Sequence, residues 1–169
     1  MKKIFTLCVA VLVAAVSVSA KEYTHSVGMV AGLGLGVQYK VIPLDNFTII
    51  EEFGYFTNPN GGTGAYSGAI DNLVLAYQAN GVKGEGIALD WYVGGQIKIG
   101  YGMGDLAVFG FGAAAGFEAN MQKAPIAFSF DFRPGYALAG APGAIMHMFD
   151  YSFNLGVRYT VPMPKKGKK

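Results

Sequence analysis

The chain has 169 residues, of which 52% are hydrophobic, 14% aromatic and only 14% charged, with 25 glycines. A soluble domain usually carries about 25% charged residues, so this composition argues against an ordinary water-facing surface. The formal charge of +2 rests on lysines at the two ends. Without Lys2, Lys3, Lys165, Lys166, Lys168 and Lys169 the body is net acidic, which speaks against a nucleic-acid partner.

Residues 1–20 read as a secretory signal peptide. Lys2 and Lys3 start it, Ile4 to Val16 is a short apolar run, and Val18-Ser19-Ala20 is a small-residue cleavage site. The single cysteine, Cys8, lies inside this leader, so the mature chain is expected to have no disulfide and no thiolate metal site. No later run of about eighteen apolar residues follows, so no helix is expected to cross a membrane. The remaining chain divides into a barrel over residues 21–161 and a basic tail over residues 162–169.

The body alternates. Tyr23 to Val41 keeps one phase, with Tyr23, His25, Val27, Met29, Leu33, Leu35, Val37 and Tyr39 on the odd face and many glycines on the even one. That length exceeds the 9–11 residues a spanning strand needs. Gly32-Leu33-Gly34 is therefore read as a reversal that splits the segment in two without changing its phase. Pro43 to Asn46 is read as a turn. The strand Phe47 to Phe56 puts Phe47, Ile49, Phe53 and Tyr55 on its apolar face. Glu52 fits the polar face, and Glu51 breaks the apolar one unless a bulge reassigns it.

Thr57 to Gly64 is loop by composition. Leu73, Leu75 and Tyr77 mark a weaker strand, with a second loop over Asn80 to Gly86. Ile87 to Tyr101 alternates clearly, with Trp91 and Tyr101 on the apolar side and Asp90 and Lys98 on the other. Met103-Gly104-Asp105 turns the chain into Leu106 to Ala119, where Phe109, Phe111 and Phe117 oppose glycines, alanines and Glu118. After a turn over Asn120 to Ala124, Ile126, Phe128, Phe130 and Phe132 oppose Ser129, Asp131 and Arg133. A loop with Gly140, Pro142 and Gly143 leads to the last strand, Met148 to Val161. Its odd positions are all apolar or aromatic and its even positions all polar or glycine.

The count is eight, an even number that closes an antiparallel barrel, and eight is the size at which side chains just fill the interior. The expected fold is all-β: an eight-stranded antiparallel up-and-down transmembrane β-barrel after a signal peptide. The polar faces carry Lys40, Glu52, Asp90, Lys98, Glu118, Asp131, Arg133, Asp150 and Arg158 among glycine and alanine, which fits a narrow interior where charges pair. Ion pairs are expected among Asp131, Arg133, Asp150, Arg158 and their neighbours, because the last two strands are adjacent. Tyr151 and Tyr159 lie eight residues apart, about 27 Å along a strand at ~3.4 Å per residue and roughly 19 Å of depth at a tilt near 45°. That spacing matches aromatic girdles on either side of an apolar band, and Trp91 and Tyr101 repeat the arrangement on another strand.

Asn154-Leu155-Gly156-Val157-Arg158-Tyr159-Thr160-Val161 resembles the C-terminal assembly signal of outer-membrane proteins. Leu89 to Gly95 (LDWYVGG), Pro125 to Tyr136 (PIAFSFDFRPGY) and Gly156 to Thr160 (GVRYT) also look like the small eight-stranded barrels of the OmpA and OmpX type. This resemblance covers nearly all of residues 21–161. It implies a bacterial outer-membrane location, contact with outer-membrane lipid, and recognition by the barrel-assembly machinery through Asn154, Gly156, Tyr159 and Val161. One departure is that residues 162–169 follow the signal, whereas family members usually end at the aromatic strand.

Little in the sequence points to catalysis. His147, Asp150 and Ser152 lie close together near one end of the last strand, the residue types used there by lipid A-modifying barrel enzymes. His147, however, has the opposite parity to Asp150 and Ser152. His25 falls on the apolar face and reads as interfacial. Two isolated histidines do not make a metal set. The reading is an integral outer-membrane barrel with a structural or surface-interaction role, a filled interior, no large pore, no catalytic residues and no cofactor. A soluble secreted or periplasmic barrel that binds a small apolar ligand, and a lipid A-modifying enzyme, are the alternatives.

Overall fold

A computed structural model describes residues 23–44, 46–58, 66–102, 106–141 and 144–162. The signal peptide, the basic tail beyond Pro162, and the expected turns at 103–105 and 142–143 lie outside these residues. Eight strands follow one another: β1 (Tyr23–Ala31), β2 (Gly34–Leu44), β3 (Phe47–Asn58), β4 (Tyr66–Lys83), β5 (Ile87–Gly102), β6 (Leu106–Met121), β7 (Ile126–Ala141) and β8 (Ala144–Pro162). Each pairs antiparallel with the next, and β8 pairs with β1 to close the barrel. Closure leaves no unpaired sheet edge.

The register sets the tilt. From Val27 the partners run Tyr39, Glu51, Leu73, Ile97, Phe111, Tyr136 and Phe149, reaching β8 ten residues from Tyr159, the residue that pairs with Val27. A stagger of that size tilts the strands of an eight-stranded barrel by roughly 40–45°.

The split of the first segment occurs at the expected place. Ala31 pairs with Leu35 across Gly32-Leu33-Gly34, so an odd position faces an odd position and the phase is kept. The strands run longer than their patterns implied. Thr57 and Asn58 extend β3 and pair with Ser67 and Tyr66, and β4 is an 18-residue strand that includes Asn80 to Lys83. β6 runs through Met121. β7 runs through Gly140 to Ala141, and β8 starts at Ala144 rather than Met148. Gly and Asn are poor strand formers, but a strand bonded on both sides keeps its ladder through them.

Pro43 also lies within a strand, β2, beside a register shift between Val41 and Leu44. Such an irregularity tolerates a residue with no backbone N–H to donate. Pro162, assigned above to the tail, belongs to β8 and pairs with Tyr23. The β4–β5 connection shrinks to a short turn, in which Gly86 takes a φ of 92° that other residues rarely adopt.

The apolar faces point outward. Val27, Met29, Leu35, Phe53, Ile97, Phe111 and Leu155 are all at least 48% exposed. Outward tyrosines and the one tryptophan fall near the two rims. Tyr39, Tyr77, Trp91 and Tyr159 form a ring toward the terminal end, and Tyr55, Tyr101, Tyr136 and Tyr151 form one toward the other. His25 is exposed in the first ring, with its Nδ1 2.7 Å from Tyr39 Oη.

One expectation about faces fails. Tyr23, placed on the outer face by parity, is buried, because the register with β8 shifts between Tyr23 and His25. The extra residue of such a bulge reverses every side chain beyond it. Glu51 is not reassigned by a bulge. The β3–β4 register is unbroken, and Glu51 stands on the outer face opposite Leu73.

Candidate functional site

The polar faces of all eight strands converge on the axis. Every one of Lys40, Glu52, Asp90, Lys98, Glu118, Asp131, Arg133, Asp150 and Arg158 lies inside the barrel. Around them, glycine makes the space. A Cβ on Gly156 would meet Ser129 Oγ, Gln38 Oε1 and Arg158 Nη1, and one on Gly116 would meet Tyr92 Cζ and Asp131 Cβ. The long side chains fit because their neighbours have none.

A first cluster centres on Glu118, which is fully buried. It takes Lys40 Nζ at 2.6 Å and hydrogen bonds from Arg158 Nη2 and Tyr23 Oη. Gln78 Nε2 also donates to it, at 3.2 Å, and to Asp90 at the same distance. Asn120 Nδ2 donates to Asp90 as well. The Lys40 ammonium lies 5.7 Å from the ring centroids of both Tyr23 and Tyr92, so two aromatic faces replace part of its lost hydration.

A second cluster centres on Arg133, 1% exposed. Its guanidinium forks onto Glu52, with Nη1 to Oε2 at 2.5 Å and Nη2 to Oε1 at 2.7 Å, the bidentate geometry for which Arg is suited. Its Nη2 also donates to Asp131 Oδ2 at 2.9 Å. Its Nε lies 2.7 Å from Asp131 Oδ1, close enough to attract but not aligned for a hydrogen bond. Tyr92 Oη and Asn154 Nδ2 complete Asp131, at 2.6 and 2.9 Å. Gln38 joins the two clusters: its Oε1 accepts from Arg158 and its Nε2 donates to Glu52.

Lys98 and Asp150 form a third pair. Between it and the Arg133 cluster lies a recess of about 20 Å³, lined by Asn72, Lys98, Arg133, Asp150 and Ser152 among others. That volume suits about one water molecule. Apolar side chains fill other levels of the interior, Ile50, Val74, Ala76 and Ala114 against Tyr92, and Ile70, Val108 and Met148 beyond.

The pairing differs in one respect from the expectation. Arg133 and Asp131 do pair on β7, but Asp150 pairs with Lys98 of β5 and Arg158 with Glu118 of β6. Side chains this long reach across a narrow barrel, so neighbouring strands do not fix the partner. Tyr92, Gln38 and Gln78 were legible as members, since they share the polar parity. Tyr23 was not, because its bulge is invisible to alternation.

His147 is exposed on the outer face of β8 opposite Leu138, while Asp150 and Ser152 face inward, so the wall separates the three. Among the described residues no group of three or more His, Cys, Asp or Glu is arranged to hold a metal ion. Of the four positions expected to form an assembly signal, Asn154 and Gly156 face inward and Tyr159 and Val161 outward, on the strand that pairs with both β7 and β1. No protein-family model matches the sequence, and no curated protein matches it.

Proposed function

We propose that the chain is an integral outer-membrane barrel of the small OmpA and OmpX type, with a structural or surface-interaction role and a filled interior. The observation that carries this reading is the inverted distribution of side chains. Large apolar groups stand exposed on all eight strands, and the strand charges other than Glu51, Asp71 and Lys83 lie inside. A soluble monomer rarely exposes a contiguous apolar patch beyond roughly 300–600 Å², and here the apolar surface runs round the whole circumference. A bilayer is the solvent that favours such a surface. The two rings of Tyr and Trp bound it as aromatic girdles bound the apolar band of a membrane barrel.

A soluble barrel for an apolar ligand would need the faces reversed, with the charges in water. A lipid A-modifying role would need His147 on the same side of the wall as Asp150 and Ser152. In the membrane reading β8 closes the barrel, and Asn154, Gly156, Tyr159 and Val161 serve as the label read by the barrel-assembly machinery. Membrane fractionation combined with gel mobility before and after boiling tests the proposal. The expected result is recovery with outer membranes and a folded band that shifts on heating. A chain that stays in solution without detergent overturns it.

A further inference from the structure

We infer that the outer wall of β3 and β4 is a docking surface for a second membrane-embedded protein, one that presents an arginine or lysine side chain inside the apolar band. The inference rests on the membrane reading above. Glu51 and Asp71 are the only acidic residues on the outward face among the described strand residues. They lie in consecutive outward pairs of the same two strands, Glu51 opposite Leu73 and Asp71 opposite Phe53. That diagonal separates their backbones by about 7–8 Å, and one cationic head group between them can reach both carboxylates.

Their depth matters. Glu51 pairs with Tyr39 of the terminal-side ring, and Asp71 lies on the diagonal from Tyr55 of the opposite ring, which pairs with Ala69. Both carboxylates therefore sit inside the band, and the point midway between them falls near its middle. Ionisable groups at such depth are costly against lipid and ordinarily have a partner. The outward residues paired with them are Tyr39 and Leu73 beside Glu51, and Phe53 and Ile99 beside Asp71, and the one hydroxyl among these, Tyr39 Oη, lies 2.7 Å from His25 Nδ1.

Charge decides the occupant. A second copy of this chain docked face to face would bring four carboxylates together, and among the described residues no lysine or arginine faces outward within the band. Lipid head groups carry amines, but they remain outside the aromatic rings. A neighbouring membrane protein with a cation at mid-band satisfies both carboxylates in a medium where the attraction is little screened.

The test places a photo-crosslinking residue at Leu73, and in a control at Phe130 on the far wall, in cells that carry the chain in their own membrane. The expected result is a protein adduct from Leu73 but not Phe130, joined to a peptide that contains Lys or Arg beside the linkage. The adduct should fall at least tenfold in E51Q/D71N, and in part in E51Q and D71N alone, which also decide the matter if the double variant does not fold. Lipid adducts only, a self-adduct of twice the chain mass, or an adduct indifferent to both neutral variants overturns the inference. Absence of the chain from the membrane fraction overturns the reading beneath it, whereas a membrane-resident, heat-modifiable barrel without the adduct overturns the docking surface alone.

Discussion

Gln38 carries no charge, yet it is the residue through which the two buried ion clusters meet. Replacing it with leucine keeps the volume and removes an acceptor from Arg158 and a donor from Glu52. A buried polar group left short of a partner costs about 1–3 kcal/mol, so Gln38→Leu is expected to lower the urea midpoint of the folded band in detergent. An unchanged midpoint would show that the clusters are independent. Arg158→Leu should cost more, about 3–5 kcal/mol when one partner of a buried pair is removed, and the loss should sit toward the lower end because Glu118 keeps Lys40. Gly156→Ala tests the space rather than the charge. Its Cβ would press on Ser129 and come within 3.1 Å of Gln38 Oε1, and overpacking of that kind costs about 1–3 kcal/mol. The same glycine is a position of the proposed assembly signal, so the refolding yield of purified chain separates loss of stability from loss of recognition in the cell.

At the level of the strand, alternation was a reliable guide to faces and a poor one to ends. The odd–even pattern of β5, β6, β7 and β8 placed every core charge correctly, because a period of two leaves only two faces to choose from. Ends were misjudged where glycine, proline or asparagine interrupts the pattern, as at Pro43, Asn80 and Gly140. Those residues weaken a strand without preventing pairing when both neighbours are in place. The bulge at the start of β1 is the sharpest case. Deleting Thr24 should remove the extra residue, so that Tyr23 precedes the outward His25 in simple alternation, stays inward and keeps its hydrogen bond to Glu118. The deletion should then destabilise the barrel less than Tyr23→Phe, which loses the hydroxyl bonded to Glu118. Thermal unfolding of the two variants checks this, and a deletion that costs more than Tyr23→Phe would mean that the bulge itself is needed to hold the tyrosine inside.

For the whole molecule, closure and filling are one property. Eight strands with a stagger of ten leave room for side chains but not for a water column, and here the axis is occupied by Arg133, Arg158, Lys40 and Tyr92, all about 1% exposed or less. Proteoliposomes that contain the folded chain are therefore expected to take up monosaccharides no faster than empty ones. Swelling at a rate that scales with protein content would contradict a filled interior. The recess beside Lys98 is too small to alter this, since it accommodates about one water.

Two properties were settled by the sequence alone: the strand count and the division of each strand into a polar and an apolar face. Both depend only on local periodicity. The tertiary structure decided which side of the wall each face occupies, and with it that most of the strand charges are buried and most of the phenylalanines exposed. It also decided who pairs with whom inside, Lys98 with Asp150 and Arg158 with Glu118. Those choices depend on the stagger with which the sheet closes, a sum over all eight registers that no single strand encodes.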